Sequence, residues 1–132
     1  MEKELIKAAI TAAQNSYSPY SGFKVGAALL TDDGKVYLGC NIENAAYGPS
    51  NCAERTAIFK AVSEGYRKFK AIAIVGGKDG DFKDFCPPCG VCRQVMSEFC
   101  DKDFVIYLGN KNLEYQKFTL SELLPHNFDL ED

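Results

Sequence analysis

Ala71-Ile72-Ala73-Ile74-Val75 is an uninterrupted apolar run. Such a run reads as a strand buried on both faces, which requires further layers packed above and below it. The flanking segments supply those layers. On the N-terminal side, Leu5, Ile6, Ala9, Ile10 and Ala13 recur at helical spacing and stop before the turn-rich Ser18-Pro19-Tyr20-Ser21-Gly22. Residues 23–30 are nearly continuously apolar, and Val36-Tyr37-Leu38 is a second short apolar run. Asp32-Asp33-Gly34 separates the two and carries a hairpin signal. Ala57, Ile58, Ala61 and Val62 predict a helix that Gly65 stops. Beyond the central run, Cys92, Val95, Met96 and Phe99 share one side of a further helix, and a strand follows over residues 104–108. Residues 121–124 fit a short closing helix ended by Pro125.

The order is α-β-β-α-β-α-β-α. Strands alternating with helices place helices on both faces of one sheet. The expected fold class is therefore α/β, a three-layer α/β/α sandwich around a central mixed, mostly parallel sheet with one antiparallel hairpin. A chain of 132 residues has room for one domain, expected over residues 1–132, and 46% apolar residues supply its core.

Charge and composition narrow the function. A net charge of -3 argues against a nucleic-acid partner, since polyphosphate binding draws on clustered positive charge. Met1-Glu2-Lys3-Glu4 is charged, and the chain has no long apolar run, so neither a signal peptide nor a membrane partner is expected. The compartment is expected to be the cytoplasm. There, six cysteines read as metal-binding or catalytic rather than as a disulfide framework.

The informative residues are Cys52-Ala53-Glu54 and Pro88-Cys89-Gly90-Val91-Cys92. Cys89 and Cys92 are three apart at a helix start, so both thiols point to the same side. Cys52 also opens a helix, and the partial positive charge of a helix N-terminus favours thiolates. Zinc takes such soft ligands, and three of them leave a fourth position for water, the arrangement of catalytic sites. The single histidine, His126, is far along the chain, so a zinc site here is essentially all cysteine. Glu54, two residues after Cys52, shares a face with it only if Cys52 sits at the cap with non-helical torsions. It would then reach the water without binding the metal.

Other cysteines have plainer readings. Cys40 and Cys100 read as buried small hydrophobes. Cys86-Pro87-Pro88-Cys89 has redox spacing, but an extended Pro-Pro segment holds its ends roughly 9 Å apart, too far for a disulfide. Cys86 could instead complete a closed, non-catalytic four-cysteine zinc module.

With these residues in view, the chain resembles the cytidine deaminase family in its small homotetrameric, three-cysteine form. Cys52-Ala53-Glu54-Arg55-Thr56-Ala57 and Pro88-Cys89-Gly90-Val91-Cys92-Arg93-Gln94 carry the resemblance. Phe23-Lys24-Val25-Gly26-Ala27-Ala28, Asn41-Ile42-Glu43-Asn44-Ala45 and Glu122-Leu123-Leu124-Pro125 add to it, and together they span about residues 5 to 128. Cys86 departs from the pattern.

The resemblance implies one zinc per chain on Cys52, Cys89 and Cys92, with Glu54 transferring protons. It implies that Asn41 and Glu43 hydrogen-bond the ribose, that Phe23 lines the nucleoside site, and that Arg55 hydrogen-bonds ligand sulfur. The implied reaction is hydrolytic deamination of free cytidine and deoxycytidine, in pyrimidine salvage. Phe128, beyond the last predicted helix, would by itself anchor the terminus on its own subunit; the resemblance instead sends it to a neighbouring subunit's site within a homotetramer. Read alone, Asn41 and Glu43 are ordinary loop residues, Phe23 a core residue and Arg55 a surface ion-pair partner. Three thiolates leave a zinc site with a formal charge of -1, which Arg55 or Arg93 could offset. A deaminase of a related aminopyrimidine such as blasticidin S keeps the same zinc motif and stands as the alternative.

Overall fold

The computed structural model describes residues 1–130. Its elements in chain order are α1 (Glu2–Ala13), β1 (Phe23–Thr31), β2 (Val36–Cys40), α2 (Ala53–Ser63), β3 (Phe69–Lys78), α3 (Gly90–Phe99), β4 (Val105–Gly109), β5 (Tyr115–Thr119) and α4 (Leu120–Leu123). The strands form one sheet in the order β2-β1-β3-β4-β5.

The central run of β3 alternates small and large residues, and that alternation sets the layers. Ala71, Ala73 and Val75 face α1, where Leu5, Ile6, Ala9 and Ala13 cover them. Ile72 and Ile74 face the opposite layer, packed with Ala57, Ile58 and Ala61 of α2 and Met96 of α3. Both faces are thus covered, as the unbroken apolar pattern requires.

The expectation of a mostly parallel sheet is corrected. Only β3 and β4 pair in parallel; β1 is antiparallel to both β2 and β3, and β5 is antiparallel to β4. The strand-helix-strand rule held for direction, since β2, β3 and β4 all run the same way. However, the β2–α2–β3 crossover passes over β1, so the two parallel strands it joins are not neighbours. β5 was not anticipated. Its sequence, Tyr-Gln-Lys-Phe-Thr, is an edge strand with little buried surface and therefore little apolar signal. The turn before it is built by Asn110, whose Oδ1 accepts the amides of Asn112 and Glu114 at 3.0 Å.

Helix α2 lies very close to the sheet. A methyl group on Gly39 of β2 would sit 2.3 Å from the Ala53 carbonyl oxygen and 2.6 Å from the Ala57 nitrogen. Gly39→Ala should therefore push the start of α2 outward and lower stability by about 1–3 kcal/mol or more. The measurement is a drop in urea midpoint with an unchanged slope. Gly90→Ala, whose added methyl meets nothing within 4 Å, should not lower it.

Candidate active site

Cys52 and Cys89 are the N-cap residues of α2 and α3. Both have extended torsions, φ -78° and ψ 155° for Cys52, φ -70° and ψ 169° for Cys89. This is the geometry that the two-residue spacing of Cys52 and Glu54 demands. Their sulfurs lie 3.8 Å apart, and the Sγ of Cys92, in the first turn of α3, completes a cluster within 4.8 Å. A tetrahedral zinc with bonds of about 2.3 Å holds its sulfur ligands about 3.8 Å apart, so the thiols fit one zinc ion per chain. Among the described residues this is the metal-ligand cluster, and Cys86 stands outside it.

Electrostatics agree with that reading. Hydrogen bonding from the Cys92 thiol, then from Arg55 and Cys89, draws the Cys52 thiol down to about 5. Cys92 is pushed up in turn, by its bond to the Cys52 sulfur and by burial. A bare cluster therefore keeps protons that a cation can displace. Arg55 donates from Nη2 to the Cys52 sulfur at 3.3 Å, while its Nε is buried without a partner among the described residues. Arg93 does something different: Nε donates to the Pro88 carbonyl and Nη1 to the Leu123 carbonyl, both at 2.8 Å. It fastens the loop before Cys89 to α4.

Glu54 is the second residue of α2 and is 4% exposed. Burial lifts its carboxyl to about 7, and the nearby Cys52 charge adds to the shift. It lines a cleft of about 490 Å³ together with Asn41, Glu43, Cys52, Arg55 and Cys89. The strap over residues 41–52 brings these together. Ile42 and Asn51 exchange both backbone hydrogen bonds, at 2.9 and 2.8 Å, and the Asn51 side chain donates to Thr56 in α2. Asn41 accepts the Val25 amide at 2.9 Å and donates to the Phe23 carbonyl at 2.8 Å. Glu43 accepts the amides of Tyr20 and Ser21 and the Ser21 hydroxyl.

Neither of the two aromatic candidates lines the cleft of its own chain. Phe23 lines a separate hollow with Gly76 and Lys78; its carbonyl meets the cleft residue Asn41, and its ring lies near Gly76, as does Cys86. Phe128 is 67% exposed and lines another hollow with Gln94 and Ser97, its carbonyl accepting from the Gln94 side chain. Conversely, Tyr47, Ser50, Asn51, Cys86, Pro87 and Val91 line the cleft without having been anticipated there. Proximity in sequence to the two cysteine motifs was the available signal for all six.

The buried carboxyl has a consequence for stability. Glu54 has a folded-state pKa of about 7 against an ordinary 4.5, so ionisation opposes folding. The penalty is absent below the ordinary value, grows through the interval and is complete above the folded one. In protein stripped of metal by a chelator, Glu54→Gln should gain about 2.5 kcal/mol over the natural chain between pH 5 and pH 8. Denaturant titrations at both pH values measure this; a difference that ignores pH would mean Glu54 is not held out of water.

Residues 1–108 match the family model described as the cytidine and deoxycytidylate deaminase zinc-binding region. A protein from Halalkalibacterium halodurans named cytidine deaminase is 58% identical, over 97% of this chain and 94% of its own. The crystal structure of cytidine deaminase from Burkholderia pseudomallei superposes with a TM-score of 0.90 at 48% identity, covering 97% of this chain and 99% of that one. A Bacillus cereus protein named blasticidin-S deaminase is more distant, at 35% identity over 76% of this chain and 74% of its own. With a three-thiol zinc cluster, a buried glutamate at its side and this similarity along nearly the whole chain, the protein belongs to the cytidine and deoxycytidylate deaminase family.

Proposed function

We propose that the chain hydrolyses the 4-amino group of free cytidine and deoxycytidine, giving the uracil nucleoside and ammonia. The observation that carries this is a buried carboxyl, Glu54, beside a three-thiol cluster in an open cleft. Bound to Cys52, Cys89 and Cys92, zinc supplies a Lewis acid and lowers the pKa of a water enough to make a nucleophile at neutral pH. Glu54 would take one proton from the attacking water and pass it to N3 of the cytosine ring, then take the remaining proton from the oxygen added at C4 and deliver it to the departing amine. Burial raises the Glu54 carboxyl above the usual carboxylate range, which favours its taking up a proton. Arg55 offsets the negative charge that three thiolates accumulate.

Hydrogen-bond counting at the far end of the cleft supports a sugar. Asn41 spends its carbonyl on Val25 and Ser16 and one amide hydrogen on Phe23, which leaves one donor. Glu43 is acceptor only. One donor beside one acceptor is what a hydroxyl needs. A nucleotide fits less well. Among the described residues lining the cleft, the charged side chains are Glu43, Glu54 and Arg55, and Arg55 is engaged with Cys52. A phosphate would meet two carboxylates and no free cation.

The closed four-cysteine module is not supported, because Cys86 lies outside the cluster and burial holds its thiol up at about 11. Blasticidin S remains the less favoured substrate, given the higher similarity to cytidine deaminases. Six free cysteines suit a reducing compartment, consistent with a cytoplasmic role in pyrimidine salvage. No helix among the described residues is long and apolar enough to cross a membrane.

Loss of cytidine absorbance should require zinc and stop on chelation. Glu54→Gln should keep about one zinc per chain and lose several orders of magnitude in turnover. Cys86→Ser should keep both metal and activity, and a zinc-free Cys86→Ser protein would overturn the ligand set.

The same proposal extends to assembly as a homotetramer that shares its sites. Phe128 is exposed and lines a hollow other than its own cleft, which leaves its ring available to a neighbouring site, and a cytosine ring needs apolar surface on both faces. Dissociating and reassembling Glu54→Gln chains with chains cut before Phe128 should restore activity, because some mixed sites gain an intact Glu54 and an intact tail. No recovery in confirmed mixed tetramers would place each complete site within one chain.

A further inference from the structure

Ser21 is a turn residue with no part in the zinc cluster, yet it sits between two residues expected to meet the nucleoside. Its hydroxyl has one hydrogen to give. The Phe23 amide donates to Ser21 Oγ at 3.0 Å, and the hydroxyl hydrogen goes on to Glu43 Oε2. The Ser21 amide, with that of Tyr20, donates to the other carboxylate oxygen at 3.1 Å. Both oxygens of Glu43 are thus held by two consecutive residues, and the plane of the carboxylate is set.

The turn is itself pinned from behind. Lys78, at the end of β3, donates from Nζ to the Ser21 carbonyl at 2.7 Å, and the Asp79 amide donates to the Gly22 carbonyl at 2.7 Å. Gly22 takes φ 68°, a left-handed conformation that lets the chain turn directly into β1. Glu43 stands where this pinned turn meets the cleft, lining both the cleft and a smaller hollow of about 270 Å³ shared with Tyr20, Ser21, Tyr47 and Ser50.

We propose that Ser21 is a positioning residue for the deamination: its hydroxyl ties the Phe23 backbone to Glu43 and holds the carboxylate in the one orientation that receives a sugar hydroxyl. The proposal rests on the reading that Glu43 contacts the sugar. The Ser21 hydroxyl also leads the interactions that keep the Glu43 carboxyl below its usual range, so the acceptor stays ionised.

Because the sugar is remote from the reacting carbon, loosening Glu43 weakens binding rather than chemistry. Ser21→Ala should raise KM for cytidine about tenfold, the size of a lost hydrogen bond to a charged group, with kcat held within about threefold. Ser21→Thr, which keeps the hydroxyl, should restore KM. In a Glu43→Ala background, Ser21→Ala should add nothing further, because a residue acting through Glu43 has no effect once Glu43 is gone. Zinc content and urea midpoint of each variant are measured alongside. Equal effects of Ser21→Ala in both backgrounds, or a fall in kcat with KM unchanged, would overturn the proposal while leaving the sugar contact standing. An unchanged KM in Glu43→Ala itself would remove the sugar contact and the proposal together.

Discussion

Two helix N-termini meet at one end of the cleft, and each presents a cysteine where a Ser, Thr, Asp or Asn cap is usual. No described side chain makes the ordinary capping hydrogen bond at either helix. The sulfurs do not cap their helices; extended backbone turns them toward one another, 3.8 Å apart. Everything else about the site follows from this convergence. Cys92 enters from the first turn of α3, Glu54 from the first turn of α2, and the cleft opens on the side that the thiols leave uncovered. The sheet makes the convergence possible. β2, β3 and β4 run in one direction, so the helices that follow β2 and β3 begin at the same edge, and both pack on one face of the sheet.

Such a meeting of like partial charges has to be compensated. Two helix N-termini repel each other, and three thiolates attract both, so sulfur chemistry and helix placement stabilise one another. Arg55 adds positive charge at the Cys52 sulfur, while Arg93 ties down the loop that delivers Cys89. The neighbouring arginines look equivalent in sequence, since each follows a ligand motif. Their partners differ because Arg55 lies one turn into α2 from Cys52, whereas Arg93 lies on the flank of α3 that faces α4.

Much of the architecture was legible because burial writes a period into the chain. The unbroken Ala-Ile-Ala-Ile-Val run announced a two-faced strand, and the stripes at Leu5–Ala13 and Ala57–Val62 announced the helices that cover it. Where burial is slight the sequence is silent: β5 exposes most of its surface and escaped notice. Strand adjacency was illegible for another reason. Periodicity reports which face is buried but not which strand lies alongside, so β1 inserting between β2 and β3 left no trace. In the site, residues whose chemistry depends on their own type, the three cysteines and Glu54, could be read directly. Tyr47, Ser50 and Val91 contribute shape, which depends on the folded path of the loops and has no local signature.

The strap over residues 41–52 shows how metal chemistry and substrate recognition are held in register. Asn41 and Glu43 begin it and Cys52 ends it, so the polar pair and the zinc ligand belong to one covalent segment. Reciprocal hydrogen bonds between Ile42 and Asn51 close that segment into a loop whose ends cannot drift apart. Asn41 is tied to β1 through Val25 and Phe23, and Glu43 to the turn before β1. The distance from the polar pair to the cluster is therefore set by backbone rather than by flexible side chains. Under the proposed sugar contact, a substrate spans that distance with a hydroxyl at one end and a reacting carbon at the other, which a free base cannot do. On that reading, selectivity for the nucleoside arises from the same short strap that delivers the first zinc ligand.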